Sequence, residues 1–307
     1  MKYRLTLLAS LIFSVSTLSA QYTPNDLNPE QETNLAQSNT TPKPCQLEAS
    51  FDMIGRSKFN RHDGHGHIRY SRGNIETSCG FYYNPCYKEG LAATVGYTYT
   101  LMDWKHNPFF HQKHFHTATV GLSAFSHRLC DWLWRSQVAI NMDTDHFNFH
   151  YTTYDLLLWG KYEYCEDIGL HVGLLAFTGL RIDRVYPIIG FDWKYSCHWK
   201  FNLVFPIDIS AVYTINDCWS VSLTGRPFYS RNRAAKHSRL SNAVFEYENA
   251  GAEFAVNYQL SDWLHANVHV GEAFGGKLKV ANQHDHHPHH FRFNSAGYIG
   301  GEVDISF

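Results

Sequence analysis

From Ile299 to Phe307 hydrophobic and polar positions alternate without a break. Ile299, Gly301, Val303, Ile305 and Phe307 fall on one side, Gly300, Glu302, Asp304 and Ser306 on the other. The same period of two recurs upstream. Ile207, Ile209, Ala211, Tyr213 and Ile215 oppose Asp208, Ser210, Val212, Thr214 and Asn216. Trp219, Val221 and Leu223 oppose Ser220, Ser222 and Thr224, and Leu264, Ala266, Val268 and Val270 oppose His265, Asn267 and His269. Leu156, Leu158, Gly160, Tyr162 and Tyr164 oppose Asp155, Leu157, Trp159, Lys161 and Glu163. Side chains of a strand point alternately to its two faces, so these segments read as strands with one apolar and one polar face.

The strands come in hairpins. FSHRLCDWLWRSQVAI, KYEYCEDIGLHVGLL, DWKYSCHWKFNLVF, VYTINDCWSVSLTG and VNYQLSDWLHANVHV each read as strand, short polar turn, strand, with Trp132, Trp199, Trp219 or Trp263 beside most turns. Turns this short favour hairpins. Longer polar connections lie between them, at 103–112, 143–148, 230–242 and 275–291. Counted back from Phe307, every tight turn falls at one end of the strands. The prediction is an all-β, antiparallel, up-and-down arrangement of about 14 strands, with 12 as the alternative. Pro206 lacks an amide donor and suits a strand end or turn. A β-sandwich would alternate in the same way.

The N-terminus argues for export. Lys2 and Arg4 precede an apolar run, Leu5 to Val15, and Leu18-Ser19-Ala20 reads as a cleavage site, so 1–20 is expected to be a signal peptide cut after Ala20. Residues 21–44, rich in Asn, Pro, Gln and Thr, read as a disordered periplasmic leader, and 45–307 as the folded body. No later run approaches the roughly 18 apolar residues of a spanning helix.

The closing segment, with its terminal aromatic, resembles the last strand of Gram-negative outer-membrane β-barrels, and Val303, Ile305 and Phe307 resemble the signal read by the barrel-insertion machinery. YPIIGFDW, FPIDISAVYTINDCWSVSL and GGKLKV are similar to uncharacterised Cys-containing barrels of chlamydia-like bacteria. The resemblance implies a transmembrane barrel in the outer membrane, in contact with lipid and the insertion machinery. It also implies disulfide links to other Cys-rich envelope proteins.

Composition changes this picture in three places. The formal charge of −2 gives no basic excess for nucleic acid. Aromatic residues reach 16%, yet mean hydropathy is −0.35; polar lumen faces and loops dilute the lipid face of a barrel in this way. The 7 Cys and 20 His are both unusual. Cys130, Cys165, Cys197 and Cys218 fall in the tight turns, expected to face the periplasm. Bonds to neighbouring envelope proteins, bonds between turns, and plain unpaired thiols all remain open, and Cys79 and Cys86 could close a local loop. The histidines gather at the opposite rim. His62, His65, His67, His284, His286, His287, His289 and His290 form two dense runs whose imidazoles suit Zn, Cu or Ni. A response to acid, or no task, are the other readings.

With apolar rows facing lipid, the lumen is expected to be lined by Lys161, Glu163, His171, Asp208, Arg226, Glu253, His265, His269, Glu302 and Asp304. These charges would line a water-filled passage, or pair with one another and fill it. No nucleophile elbow, P-loop, dinucleotide fingerprint or zincin motif is present, so the expectation is not an enzyme. Two functions follow: a passive channel for small hydrophilic solutes, or a structural, surface-binding barrel with metal-binding outer loops and disulfide-linked periplasmic turns.

Overall fold

The computed structural model describes residues 45–60, 66–129, 131–145, 152–180, 183–234, 243–261, 263–282 and 288–307, and is all-β. The strands are β1 (Cys45–Lys58), β2 (His67–Asn84), β3 (Glu89–Trp104), β4 (His114–Ser126), β5 (Trp132–Asp143), β6 (Thr153–Cys165), β7 (Ile168–Gly179) and β8 (Arg184–Lys194). They continue with β9 (Trp199–Phe205), β10 (Asp208–Thr214), β11 (Trp219–Arg233), β12 (Val244–Gln259), β13 (Leu264–Ala273), β14 (Gly276–Ala281), β15 (His289–Phe293) and β16 (Ala296–Ser306). Each of β1 to β12 pairs antiparallel with its successor, and β13 pairs with β16. The ring closes between β16 and β1, with Leu47 opposite Ile305 and Ala49 opposite Val303. Fourteen staves therefore make a closed barrel, because β14 and β15 continue β13 and β16 rather than adding staves.

Local chemistry sets the tight turns. Asn216 Oδ1 accepts from the backbone N–H groups of Cys218 and Trp219 at 3.0 and 2.9 Å. Ser196 Oγ does the same for His198 and Trp199 at 3.3 and 3.2 Å. Short polar side chains that bond their own backbone a few residues on fix such turns. These turns and the C-terminus share one end, called here the tight-turn end; the other is the loop end. Near the tight-turn end the two faces differ as the alternation requires. Val95, Leu223 and Val268 point outward and are 62%, 61% and 64% exposed, while Asp192, Glu253 and Glu302 are buried inside.

The loop end departs from a simple barrel. At Phe274–Gly275 the stave formed by β13 and β14 bends, and Gly275 sits at φ +98°, a left-handed conformation that glycine adopts without strain. β12 pairs with β13 along Gly251–Gln259 and with β14 along Val244–Glu248. The loop-end halves of β11 and β12, with β14 and β15, form a four-stranded leaf. Phe228, Phe245, Tyr247, Leu278, Val280 and Phe293 on one face of it join a single apolar core with Ile54, Ile68, Tyr70, Met102, Trp104 and Phe115 of β1–β4. Tyr247 stacks on Tyr70 at 4.4 Å, and Phe245 packs on Phe115 at 4.7 Å and on Phe110, from the β3–β4 connection, at 5.1 Å. Both faces of β11 and β12 are largely buried here, whereas Lys277 of β14 and His289, His290 and Arg292 of β15 are exposed. β15 is bridged to the end of β1 at Phe59–Phe293, so the leaf is held to the wall at that edge and folds inward at its β11–β12 side.

This corrects the expectation of long polar loops at 230–242 and 275–291. Ser230–Arg233, Gly276–Ala281 and His289–Phe293 are strand. The period of two persists in these segments, with Lys277 and Lys279 opposing Leu278 and Val280, but over only five or six residues in β14 and β15, too short a run to stand out among polar neighbours. Ile207 is a second correction. It does not share the outward face of Ile209 but sits in the β9–β10 turn, buried among Leu157, Trp159, Leu175, Ile188 and Val204.

Candidate functional site

The lumen is built from the inward rows of the staves, and its charges are paired. Lys161 Nζ lies 3.1 Å and His171 Nε2 3.0 Å from the carboxylate of Asp192, while Trp159 donates from Nε1 to His171 Nδ1 at 3.1 Å. Arg226 holds Asp52 at 3.1 Å and Glu253 at 3.3 Å. His269 Nε2 meets Asp52 at 2.7 Å, and the Tyr298 hydroxyl donates to Glu253 at 2.8 Å. Gly300 makes room for this second cluster: a Cβ there would stand 2.2 Å from His269 Nε2 and 2.5 Å from Asp52 Oδ1. Nearer the tight-turn end, His265 contacts Asp304 at 3.2 Å. Glu302 is buried beside them, Asp208 is half-buried at the start of β10, and Glu163 is exposed at the rim.

Asp52, Asp192 and Tyr298 complete these clusters and were missed by sequence reasoning. Asp192 was within reach of it, since it alternates with Ile189 and Phe191 in YPIIGFDW. The partnership of Asp52 with Arg226, across 174 residues of chain, leaves no local trace.

The lumen is not uniformly polar. Between β2 and β6 a cavity of about 40 Å³ is lined by polar groups that include Asn74, Thr98, Thr119, Asn141, Asp155 and Arg231. On the adjoining wall, Leu157, Trp159, Leu175, Ile188 and Val204 of β6–β9 form an apolar inward cluster with Ile207. At the loop end a larger cavity of about 550 Å³ opens beside the β3–β4 connection, lined by residues that include Arg56, His67, Trp104, Lys105, His106 and Phe110.

Among the described residues, the wall is interrupted between β8 and β11. β9 and β10 are 7 residues long, short of the roughly 9–11 that a tilted strand needs to cross a hydrocarbon layer. The β8–β9 ladder ends at Ile189 and the β10–β11 ladder at Gly225. Above those points β8 runs on to Arg184 along β7, and β11 runs on to Arg233 along β12. Side chains span the interval. The Arg184 guanidinium reaches Glu246 at 2.6 Å and Glu248 at 3.0 Å and lies 5.4 Å from the Tyr229 ring; Arg231 donates to the Gly179 carbonyl at 2.8 Å.

The thiols gather at the tight-turn end. Cys45 of β1 and Cys79 of β2, opposite each other in the ladder, form a disulfide. Cys79 is therefore not joined to Cys86 in a local loop. Cys86, Cys165, Cys197 and Cys218 are free and exposed, while Cys130 lies outside the described residues. Trp199, Trp219, Trp263, Tyr164 and Tyr195 are exposed near the same rim. Of the histidine runs, His67 is half-buried at the start of β2, and His289 and His290 are exposed in β15. His62, His65, His284, His286 and His287 lie outside the described residues. Among the described residues, the group with atoms close enough to share a metal ion is acidic: Glu48, Glu302 and Asp304, within 4.8 Å of one another.

No family model matches this chain. It is similar to an uncharacterised protein of Chlamydia pneumoniae, 22% identical over 289 residues that cover 88% of this chain and 89% of that protein. It is also similar to one of Chlamydia trachomatis, 24% identical over 192 residues, 62% of this chain and 60% of that one. Among solved structures, an outer-membrane channel from Pseudomonas putida F1 aligns over 87% of this chain and 97% of its own, at TM-score 0.48 and 7% identity. The KdgM porin aligns over 85% and 99%, at TM-score 0.35 and 9% identity.

Proposed function

We propose that this chain is an outer-membrane channel, held closed in this conformation by its inward leaf. The observation that carries the reading is the outer surface of the ring. Large apolar side chains stand more than half exposed on stave after stave, among them Val95, Leu122, Val185, Ile189, Leu223 and Val268. A soluble monomer rarely exposes a continuous apolar belt of that extent. Hydrocarbon is the medium that suits it, and a closed barrel leaves no strand edge at the tight-turn end to be satisfied by water. Aromatic residues near the tight turns supply the interfacial anchors. On this reading the tight-turn end faces the periplasm.

Small hydrophilic solutes are the proposed cargo, along the polar wall of β2–β6. The leaf and the aromatic core beneath it obstruct that path, so passage requires the leaf to move, and the Arg184 bridge to Glu246 and Glu248 is one of the contacts that restrain it, with Arg231 on the Gly179 carbonyl. Planar-bilayer recording tests this. Wild-type barrels should give rare, brief steps, and R184A should raise the open fraction about tenfold, the factor that a shift of about 1.4 kcal/mol in a two-state equilibrium produces. A barrel that stays electrically silent in both forms contradicts the channel reading.

One further observation favours a second reading. The four exposed free thiols share a rim, an arrangement suited to disulfide attachment to Cys-rich envelope proteins in an oxidising compartment. Gel migration of envelopes without reductant tests it: higher-mass species that collapse on reduction support the attachment, and monomer alone removes it. Capture of Zn, Cu or Ni by the outer histidines remains a separate proposal. Isothermal titration decides it, and binding no tighter than roughly millimolar removes it.

A further inference from the structure

The interrupted wall and the apolar lining behind it point to a use. We propose that the interval between the loop-end halves of β8 and β11 is a lateral port, through which an apolar or amphipathic chain passes between the barrel interior and the surrounding lipid. The proposal rests on the outer-membrane reading above and adds to it a second route and a second class of cargo.

The first observation is the length of the wall. At roughly 3.3 Å per residue and a tilt near 40°, 7 residues rise only about 18 Å, against an apolar band roughly 25 Å tall. Val185 and Ile189, on the β8 side of the interval, are both 64% exposed and apolar, which places the interval within the greasy belt. Sheet edges at that depth are ordinarily closed by backbone pairing, since lipid offers nothing to a backbone polar group. Here the ladders stop at Ile189 and Gly225, and side chains make the junction.

Proline placement agrees. Pro187 lies in the loop-end half of β8, Pro227 in that of β11, and Pro206 in the turn that ends the short staves. Proline carries no amide hydrogen and is confined to strand edges, ends and bulges. Its appearance on both sides of the interval and beneath it marks a place where the sheet is not continued.

The third observation is chemical. A water-filled lumen calls for polar inward rows, as β2–β5 provide below their loop-end aromatic core. Behind the interval the inward rows are instead Leu157 and Trp159, Leu175, Ile188 and Val204, with Ile207 tucked under them. Directly above stands the leaf, which blocks the axial exit. These side chains are packed together behind the Arg184 and Arg231 contacts and are 0–5% exposed, so an apolar chain reaches them only when those contacts part, and lipid is then its nearest escape.

Photochemical labelling separates the outcomes. p-Benzoylphenylalanine is placed singly at Tyr186 (inward, beside the interval), Thr119 (inward, on the polar wall) and Leu223 (outward). Each barrel is refolded into phosphatidylethanolamine–phosphatidylglycerol vesicles, checked by heat-modifiable gel migration, irradiated and weighed for phospholipid adducts. The port predicts adducts at Leu223 and Tyr186 and none at Thr119, with the Tyr186 yield raised at least threefold by R184A. Adducts at Leu223 alone, in both backgrounds, overturn the port and leave the membrane barrel standing. Adducts at Thr119 as well would mean lipid fills the whole lumen, and the interval is then no port. No adduct at any position overturns the port together with the outer-membrane reading.

Discussion

The tight-turn half and the loop half of this barrel are made from the same strands by opposite rules. In the first, each stave has one apolar and one polar face, the ring is complete, and buried charges meet partners across the lumen. In the second, the loop-end parts of β11 and β12 leave that arrangement, join β14 and β15, and bury both faces against β1–β4 on one side and Arg184 on the other. The contrast teaches that closure and occlusion are separate achievements of the chain. Paired side chains occupy the lumen of the complete half, and the leaf blocks its loop end.

The largest expected effect lies in the complete half. Removing one partner of a buried ion network leaves charge under-compensated, so D52A, which leaves Arg226 with Glu253 and removes the contact of His269, should cost about 3–4 kcal/mol, the low end for a broken buried pair. Denaturant unfolding in lipid checks this, and a cost below about 1 kcal/mol would mean the cluster is solvated. In the leaf, F245A removes a fully buried ring packed on Phe110 and Phe115 and should cost a similar or slightly smaller amount, about 3 kcal/mol. If D52A unfolds the ring whereas F245A only loosens residues 226–250 toward proteolysis, the two halves are separable units. If both unfold everything at one midpoint, they are not.

Next in size is a charge placed on the outer belt. V268R should cost about 2–4 kcal/mol in a bilayer, as an arginine facing hydrocarbon does, and far less if that face meets water. C79S removes the Cys45–Cys79 link and should lower stability by about 2 kcal/mol, with no change in the loop half. Smallest is the bridge between Lys113 and Asp103 at the loop rim, 2.6 Å long but well exposed. K113A should change stability by less than about 1 kcal/mol.

The same contrast explains what could be read from the residues. The complete half was legible because an apolar outer face and an inner face of paired charges impose a period of two; Val268 against His269, or Val303 against Glu302, needs no partner to be interpreted. The tight turns were legible because Asn216 and Ser196 act on their own backbone. The leaf was not. Glu246 and Glu248 alternate with Phe245 and Tyr247, but the glutamates are buried by Arg184, more than 60 residues upstream, and nothing local announces that partner. The apolar patch of Leu157, Trp159, Ile188 and Val204 sits on the face assigned to water, and the disulfide from Cys79 runs across a ladder to Cys45 rather than along the chain. Pro187 and Pro227 were visible all along, but their meaning depends on knowing that β9 and β10 stop short between them.

Hydrogen–deuterium exchange of the barrel in lipid discs bears most directly on the leaf. The structure predicts that peptides covering 226–233 and 244–250 are protected to the same degree as wall strands such as 94–102, and far more than the 105–113 connection. Exchange of those peptides within seconds, at the rate of an exposed loop, would mean that the segments do not pair inside the barrel and that its outer half is open.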